Sequence, residues 1–377
     1  MVRAVLWVSR ILFGAVFIFS GFVKAIDPLG SAYKFQDYFM AFGMEWLYFS
    51  ALPLAVLLST LEFVIGLAVL LGLKMRWSAW GGLIFMAFFT PLTLYVALTD
   101  PVPDCGCFGD ALIISNWDTF YKNIVILAAA LFIFLHRNKV RPLLSDKGDW
   151  WLTGLITVFV VGLSVYCLRY LPVIDFRPWK VGNQVGDLMI PTPEVADIYL
   201  IYENRQTGEV REWPANDFPW DDPEWVAAWQ YKDQRREIIQ PFVEAPISDF
   251  MIVDEFGDEL TDYYLFNPEY QFIIIAYDLG NTNTRTFTRR INPLALAAES
   301  NDYSFIVLSG NSFEQIDAFR HRHQTPYPFY QSDEISLKTI IRSNPGLVLM
   351  KDGKILGKWA FRRIPDFEQL QERFPGL

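Results

Sequence analysis

The sequence predicts a helical membrane bundle of five spans followed by a water-soluble α/β domain. Five apolar runs occupy residues 1–171, each close to the roughly 20 residues that carry a helix across a bilayer. Past residue 247, short apolar runs alternate with amphipathic stretches, the pattern of strands and helices taking turns. Composition agrees with two unlike halves. Hydrophobic residues make up 52% of the 377 and aromatics 16%, yet the net charge is −10, with Asp and Glu dense between Glu194 and Asp262. That balance argues against nucleic acid or anionic lipid as a partner. Three cysteines are too few for a disulfide scaffold, so those present are incidental or reactive.

In chain order, the first run covers residues 5–26. It is long for a signal peptide and lacks a small-residue cleavage site, so it reads as a retained helix. A polar connector with Lys34, Asp37 and Glu45 leads to a second run, 46–73. The third, 77–99, contains Pro91, which a membrane helix tolerates where neighbours re-satisfy the freed carbonyl. A fourth covers 120–135 and a fifth 150–171. Basic residues fall at Arg3 and Arg10, at Lys74 and Arg76, and at Arg137, Lys139, Arg141 and Lys147, whereas 100–119 has none. Positive loops stay cytoplasmic, so five crossings place the 100–119 loop and the whole second half on the periplasmic face of a bacterial inner membrane. Disulfides persist in that compartment.

These readings divide the chain into a four-helix region over 1–140, a fifth helix over 141–175, a Trp- and acid-rich connecting lobe over 176–245, and the α/β domain over 246–377. Residues 217–225 carry too many aromatics for a disordered linker; a small ordered lobe or a strap on the next domain fits. Trp179, Trp220 and Trp225 also suit a membrane interface. In the last region, 250–253 reads as a strand. Residues 272–277 form an uninterrupted apolar run, as a central strand covered on both faces requires. A helix over 291–300 and a strand over 305–308 follow, and Ser312 opens a helix as N-cap with Gln315 in the capping-box position. A helix over 335–342, a hairpin of 347–350 and 354–359 about Asp352-Gly353, and a helix over 367–374 complete the order.

The stretch most suited to chemistry is Asp104-Cys105-Gly106-Cys107-Phe108-Gly109-Asp110. A bridge between positions i and i+2 closes a small ring far from relaxed geometry, and strained disulfides are the labile ones. A redox pair needs an accessible thiolate in a field that favours it. Asp104 and Asp110 act against that field, while Lys24, at the outer end of the first run, offsets them. The other reading is a permanent loop disulfide or a pair of free thiols. Two cysteines without a third Cys or a His make an incomplete zinc set, so no metal is expected. Cys167, about a turn from the outer end of the fifth run, is a weaker third thiol or a small buried helix residue. Glu62 lies inside the second run, where ionisable groups are costly. It marks a proton relay or quinone contact, or a hydrogen bond to a neighbouring helix, and Lys24 is expected nearer the surface than Glu62. His321 and His323 point to different sides of a helix and read as a solvated helix end.

Ser20-Gly21-x-x-Lys24-x-x-Asp27-Pro28, Leu61-Glu62-x-x-x-Gly66 and the Cys105/Cys107 stretch together resemble the DoxX/MauE family of small membrane proteins over residues 5–136. The resemblance implies a DoxX-like four-helix bundle, here with a fifth helix. MauE-like members are associated with disulfide handling of exported partners, and DoxX-like ones with a quinone-linked oxidoreductase. The order βαβα then ββα resembles the thioredoxin fold over about 130 residues, most specifically at 343–354, which places Pro345 as that family's cis-proline. The family's Cys-x-x-Cys is replaced after Tyr277 by Asp278-Leu279-Gly280-Asn281, and no cysteine follows Cys167, so this domain cannot run thiol exchange by itself. The combination resembles a group of DoxX-type proteins from Bacteroidetes. The leading expectation is thiol–disulfide or electron transfer between Cys105/Cys107 and an exported protein partner positioned by the thioredoxin-like domain, with Lys24, Glu62 and Pro345 as binding residues. Two others stay open: a non-enzymatic membrane-anchored binding or assembly module, and a quinone-linked oxidoreductase subunit with quinone as cofactor.

Overall fold

The computed structural model describes residues 1–377. It divides into two compact units, residues 1–182 with 251–377, and residues 183–250.

The first unit opens with six helices: α1 (Val2–Ile26), α2 (Pro28–Ala41), α3 (Ala51–Leu71), α4 (Met75–Thr99), α5 (Asn116–His136) and α6 (Asp146–Tyr170). Five of them, all but α2, are long and apolar enough to cross a membrane, and the chain is a multi-pass membrane protein. The expected polar connector is instead largely the helix α2. Asp27 caps it by accepting from Gly30 N at 3.0 Å, and Pro28 takes the first turn, where a missing N–H is no loss.

Helices α1 and α3 touch backbone to backbone. A Cβ at Gly21 would stand 2.5 Å from Phe63 N, and one at Gly66 would stand 2.9 Å from Ile18 N. Lipid tails are as apolar as leucine, so helix association in a bilayer depends on this close packing of small residues. Phe13, Phe17, Val69, Met86, Ile126 and Ile133 fill the space among α1, α3, α4 and α5.

The second unit holds α7 (Val185–Leu188), β1 (Val195–Asn204), β2 (Val210–Pro214), α8 (Pro223–Ala228) and β3 (Trp229–Gln240), with the antiparallel order β2-β1-β3. Its centre is a ring cluster in which Tyr202 meets Trp225 at 4.7 Å and Trp213 meets Trp229 at 4.9 Å. β3 is exposed along all but its first residue and lacks the alternation that marks a half-buried strand in a sequence. The interfacial reading of the tryptophans is corrected at Trp179, which is buried in the first unit, and Trp225 belongs to the ring cluster.

The rest of the first unit contains α9 (Thr261–Leu265), β4 (Tyr270–Ile275), α10 (Thr284–Thr286), α11 (Asn292–Glu299), β5 (Ser304–Ser309), α12 (Phe313–His323), β6 (Phe329–Gln331), α13 (Glu334–Ile340), β7 (Gly346–Lys351), β8 (Lys354–Ala360) and α14 (Phe367–Arg373). The sheet runs β6-β5-β4-β7-β8. β4 is parallel to β5, and β7 is antiparallel to both β4 and β8. Every residue of β4 is buried, as its unbroken apolar run requires. The Ser312–Gln315 capping box forms, and the Asn344–Pro345 bond is cis. Residues 250–253 are not a strand; only Val253 makes isolated bridges, to Glu259 and Gln331.

Gly21→Leu drives a branched side chain into the α3 backbone and is expected to cost about 3 kcal/mol, read as a lower melting temperature of the purified protein in detergent. Gly154→Leu, at a position in α6 where a Cβ meets nothing within 4 Å, should leave melting nearly unchanged.

Candidate functional site

The loop between α4 and α5 is fixed at both ends and turned sharply in the middle. Asn116 donates to Asp100 Oδ1 at 2.8 Å and to Val102 O at 3.0 Å, tying the loop's start to α5. Gly106 and Gly109 adopt φ of 65° and 51°, a left-handed backbone that glycine takes without a Cβ penalty. A Cβ at Gly106 would also press on Lys34 Cγ at 3.0 Å. That lysine, from α2, pairs with Asp104 at 2.7 Å, while Asp104 Oδ1 accepts from Gly106 N at 2.8 Å. The acid expected to oppose thiolate formation is thus held by a cation.

Cys105 and Cys107 are free and half-buried. The Cys107 amide donates to Cys105 Sγ at 3.2 Å, and the Thr119 hydroxyl lies 3.4 Å from the same sulfur. The two sulfurs are unequal. Cys105 is lowered to about 6, first by the hydrogen bond from the Cys107 thiol, which outweighs burial, and then by Thr119 and the charge of Lys122. Cys107 is pushed well up by that same sharing of a proton and by burial. Hydrogen bonds to the charged form favour it, so of the pair Cys105 is the sulfur more readily ionised and Cys107 the one more readily protonated.

Directly beneath, Ser20 Oγ lies 2.7 Å from Cys107 O and 2.8 Å from Glu62 Oε2, one hydroxyl proton serving two acceptors. Lys24 Nζ donates to both Glu62 oxygens, at 2.7 and 2.8 Å. Sequence reasoning placed Lys24 and Glu62 at different depths; the tight α1–α3 contact and the long lysine stem bring them together, both buried. Pairing is how charged groups persist at such depth. A cavity of about 230 Å³ opens beside them. Lys24, Glu62, Cys105, Cys107 and Lys122 line its polar end, and rings such as Phe85 and Phe89 line the rest. Cys167 is buried in α6 and is not part of this lining.

The α/β domain fastens onto the same loop. Arg342, just past α13 and buried, reaches Asp27 Oδ2 at 2.9 Å, Asp27 Oδ1 at 3.1 Å and Asp110 Oδ2 at 3.0 Å. Burial raises the Asp110 carboxyl, against the pull of Arg342. The Tyr33 hydroxyl of α2 lies 3.5 Å from that of Tyr277, just past β4, and Asn344 donates to Asp278 O at 2.6 Å. Asp278 and Pro345 therefore share the end of the sheet that meets the bundle. A second anchor joins the chain after α6 to the domain. Lys358 donates to Asp175 at 2.6 Å and to Ile340 O at 2.6 Å, and Arg177 reaches Asp175 at 2.8 Å and Thr339 O at 3.1 Å. Lys34, Thr119, Lys122 and Arg342 escaped sequence reasoning. None of them carries a local signal of its role, because each meets its partner through packing and not along the chain.

Residues 2–136 match the family model of methylamine utilisation protein MauE. Neither the curated proteins nor the solved structures yield a match.

Alkylation of Cys105 by iodoacetamide is expected to rise about tenfold per pH unit up to pH about 6 and to level off above it, because the thiolate is the reactive form, while Cys107 stays slow to pH 8. Lys122→Ala and Thr119→Val each remove a lowering contact and should move the midpoint upward; mass spectrometry of the alkylated peptides checks both. Glu62→Gln leaves the Lys24 ammonium buried against a neutral amide and should cost about 3 kcal/mol or more. Lys24→Met with Glu62→Leu should recover most of that loss in the same thermal melt.

Proposed function

With residues 2–136 a MauE-family membrane bundle, we propose that this protein exchanges disulfides with an exported protein through Cys105 and Cys107. The observation that carries the proposal is the asymmetry of the pair, one sulfur activated and the other holding its proton. In the forward sense, the Cys105 thiolate attacks a sulfur of the partner's disulfide. That S–S bond breaks, a mixed disulfide forms, and the freed partner thiolate takes up a proton. Cys107 then gives up its proton and attacks Cys105 Sγ. The partner leaves as a dithiol and Cys105–Cys107 becomes the disulfide, so two electrons pass to the partner. The reverse sequence oxidises a partner dithiol.

The α/β domain is the recognition module in this reading, and its strand order supports a thioredoxin-like fold. β4 is central and parallel to β5, and the antiparallel β7 and β8 follow on its other side. The segment after β4, where that fold carries its cysteines, sits at the edge fastened to α2 through Tyr277. Cys105 and Cys107 thus supply thiols that the domain lacks, and a peptide held near Pro345 lies toward them. Lys and Arg concentrate at the opposite end of the spans, which supports a periplasmic thiol face on a bacterial inner membrane.

The cavity favours a second, compatible reading. Its apolar length and its polar end of Lys24, Glu62 and the two thiols would suit a membrane quinone, which when bound would supply a two-electron, two-proton acceptor for the dithiol. Such an acceptor would re-form the Cys105–Cys107 disulfide when the net direction is partner oxidation.

In Cys107→Ser the resolving thiol is gone, and acid-quenched cells are expected to yield a mixed disulfide between Cys105 and an exported protein, detected on non-reducing gels and identified by mass spectrometry. Absence of any adduct, with full function retained in the Cys105→Ser, Cys107→Ser double variant, would leave a binding or assembly module and overturn the exchange reading.

A further inference from the structure

Helix α6 spans 25 residues, about 37 Å at 1.5 Å per residue, and exceeds the roughly 30 Å hydrocarbon core. Its last turns carry Tyr166, Arg169 and Tyr170, the aromatic and basic side chains that collect at headgroup level. At this point the α/β domain presents an open cleft of about 990 Å³ lined by Lys180, Arg290, Arg362, Arg363 and Arg373. The Arg363 guanidinium stacks 3.9 Å over the Tyr170 ring. All five cations are exposed, and none has a carboxylate partner. The one acid in the lining, Asp175, is held by Arg177 and Lys358. The remaining contacts of the five leave their charges uncompensated: Arg290 donates to Ile364 O at 2.7 Å, and Arg373 lies 5.6 Å over Trp359.

Five unpaired cations around one cleft repel one another unless an anion joins them. In a chain of net charge −10 such a cluster is not the by-product of a basic composition. The net charge pointed away from anionic lipid; the local field points toward it. On the side of α6 that carries Tyr166 and Tyr170, Leu155 and Phe159 are also exposed, so an apolar strip descends from the cations into the bilayer. We propose that this cleft binds the phosphodiester headgroup of an anionic phospholipid, whose acyl chains lie along α6. The arginines supply planar, multiply donating contacts to phosphate oxygens, and the bound lipid ties the α/β domain to the membrane surface. The site is separate from the thiols, so its failure and that of disulfide exchange are independent.

The test uses full-length protein reconstituted in vesicles of equimolar phosphatidylcholine and phosphatidylglycerol, then released for native mass spectrometry. The wild type is expected to retain phosphatidylglycerol over phosphatidylcholine by about tenfold or more, because the contributions of several surface cations compound. Arg362→Gln, Arg363→Gln and Arg373→Gln together should bring the ratio to near parity, and Arg285→Gln, an exposed arginine outside the cleft, should leave it unchanged. If the triple variant does not fold, Arg362→Gln alone, whose side chain stacks only on Phe361, should still lower the ratio. Equal retention of the two lipids by the wild type, or unchanged enrichment in the folded variants, overturns the proposal. Displacement of the lipid by millimolar inorganic phosphate would assign the cleft to free phosphate and overturn the lipid reading as well.

Discussion

The close approach of α1 and α3 is the constraint on which the site depends. Glycines at 21 and 66 let the two backbones meet, and that contact permits Lys24 to reach Glu62 and Ser20 to bridge Glu62 to the backbone of Cys107. A bulkier residue in either position separates the helices, strands a charge at membrane depth and removes the floor from under the loop. The motif Ser20-Gly21-x-x-Lys24-x-x-Asp27 has a physical meaning at each step. One helical face carries in succession a hydroxyl for the loop, a gap for the neighbouring helix and a cation for the buried acid. The carboxylate that follows caps α2 and receives Arg342.

That last residue couples the two halves of the first unit. Asp27 belongs to the membrane motif and Asp110 to the thiol loop, and both accept from one buried guanidinium of the α/β domain. A guanidinium with its fork of donors can satisfy two carboxylates at once, and a single cation between two anions is hard to remove without leaving like charges facing each other. The second anchor, Asp175 with Arg177 and Lys358, acts on the chain leaving α6. Between them the domain is held against the bundle at the end of its sheet where Asp278 and Pro345 lie.

Much of this was legible in the sequence, and the illegible part has a common cause. The five spans follow from run length and apolarity, since a bilayer asks for little else of a helix. The core strands β4 and β5 follow from unbroken apolar runs, and the capping box at Ser312 follows from local chemistry. Local signals carry no information about partners brought close by packing. Lys24 and Glu62 are 38 positions apart and Arg342 and Asp27 are 315 apart, so their pairing depends on helix contacts and domain docking. β3 was illegible for a different reason: it is exposed and mostly polar between Tyr231 and Ile238, and its register rests on strand pairing, on Trp229 and Tyr231 in the ring cluster and on ion pairs such as Arg235 with Glu212, none of which shows as alternation. The helix α2 was hidden by a composition too polar to read as a span, although its cap, Asp27-Pro28, stood in plain view.

The acidic flanks of Cys105 and Cys107 show why sequence proximity misjudges a local field. Asp104 and Asp110 stand beside the thiols in sequence, and taken alone they disfavour a thiolate. In the folded chain each has a cation of its own, Lys34 for Asp104 and Arg342 for Asp110, while Lys24 is matched by Glu62. Lys122 is left, stacked 4.3 Å over Phe108, with its charge acting on Cys105. The charge of that lysine adds to the hydrogen bonds from Cys107 and Thr119, which come before it in lowering Cys105. The acids that seemed to oppose the chemistry instead hold α2 and the α/β domain against the loop, and the hydrogen bonds at Cys105, joined by one cation from α5, favour its ionised form.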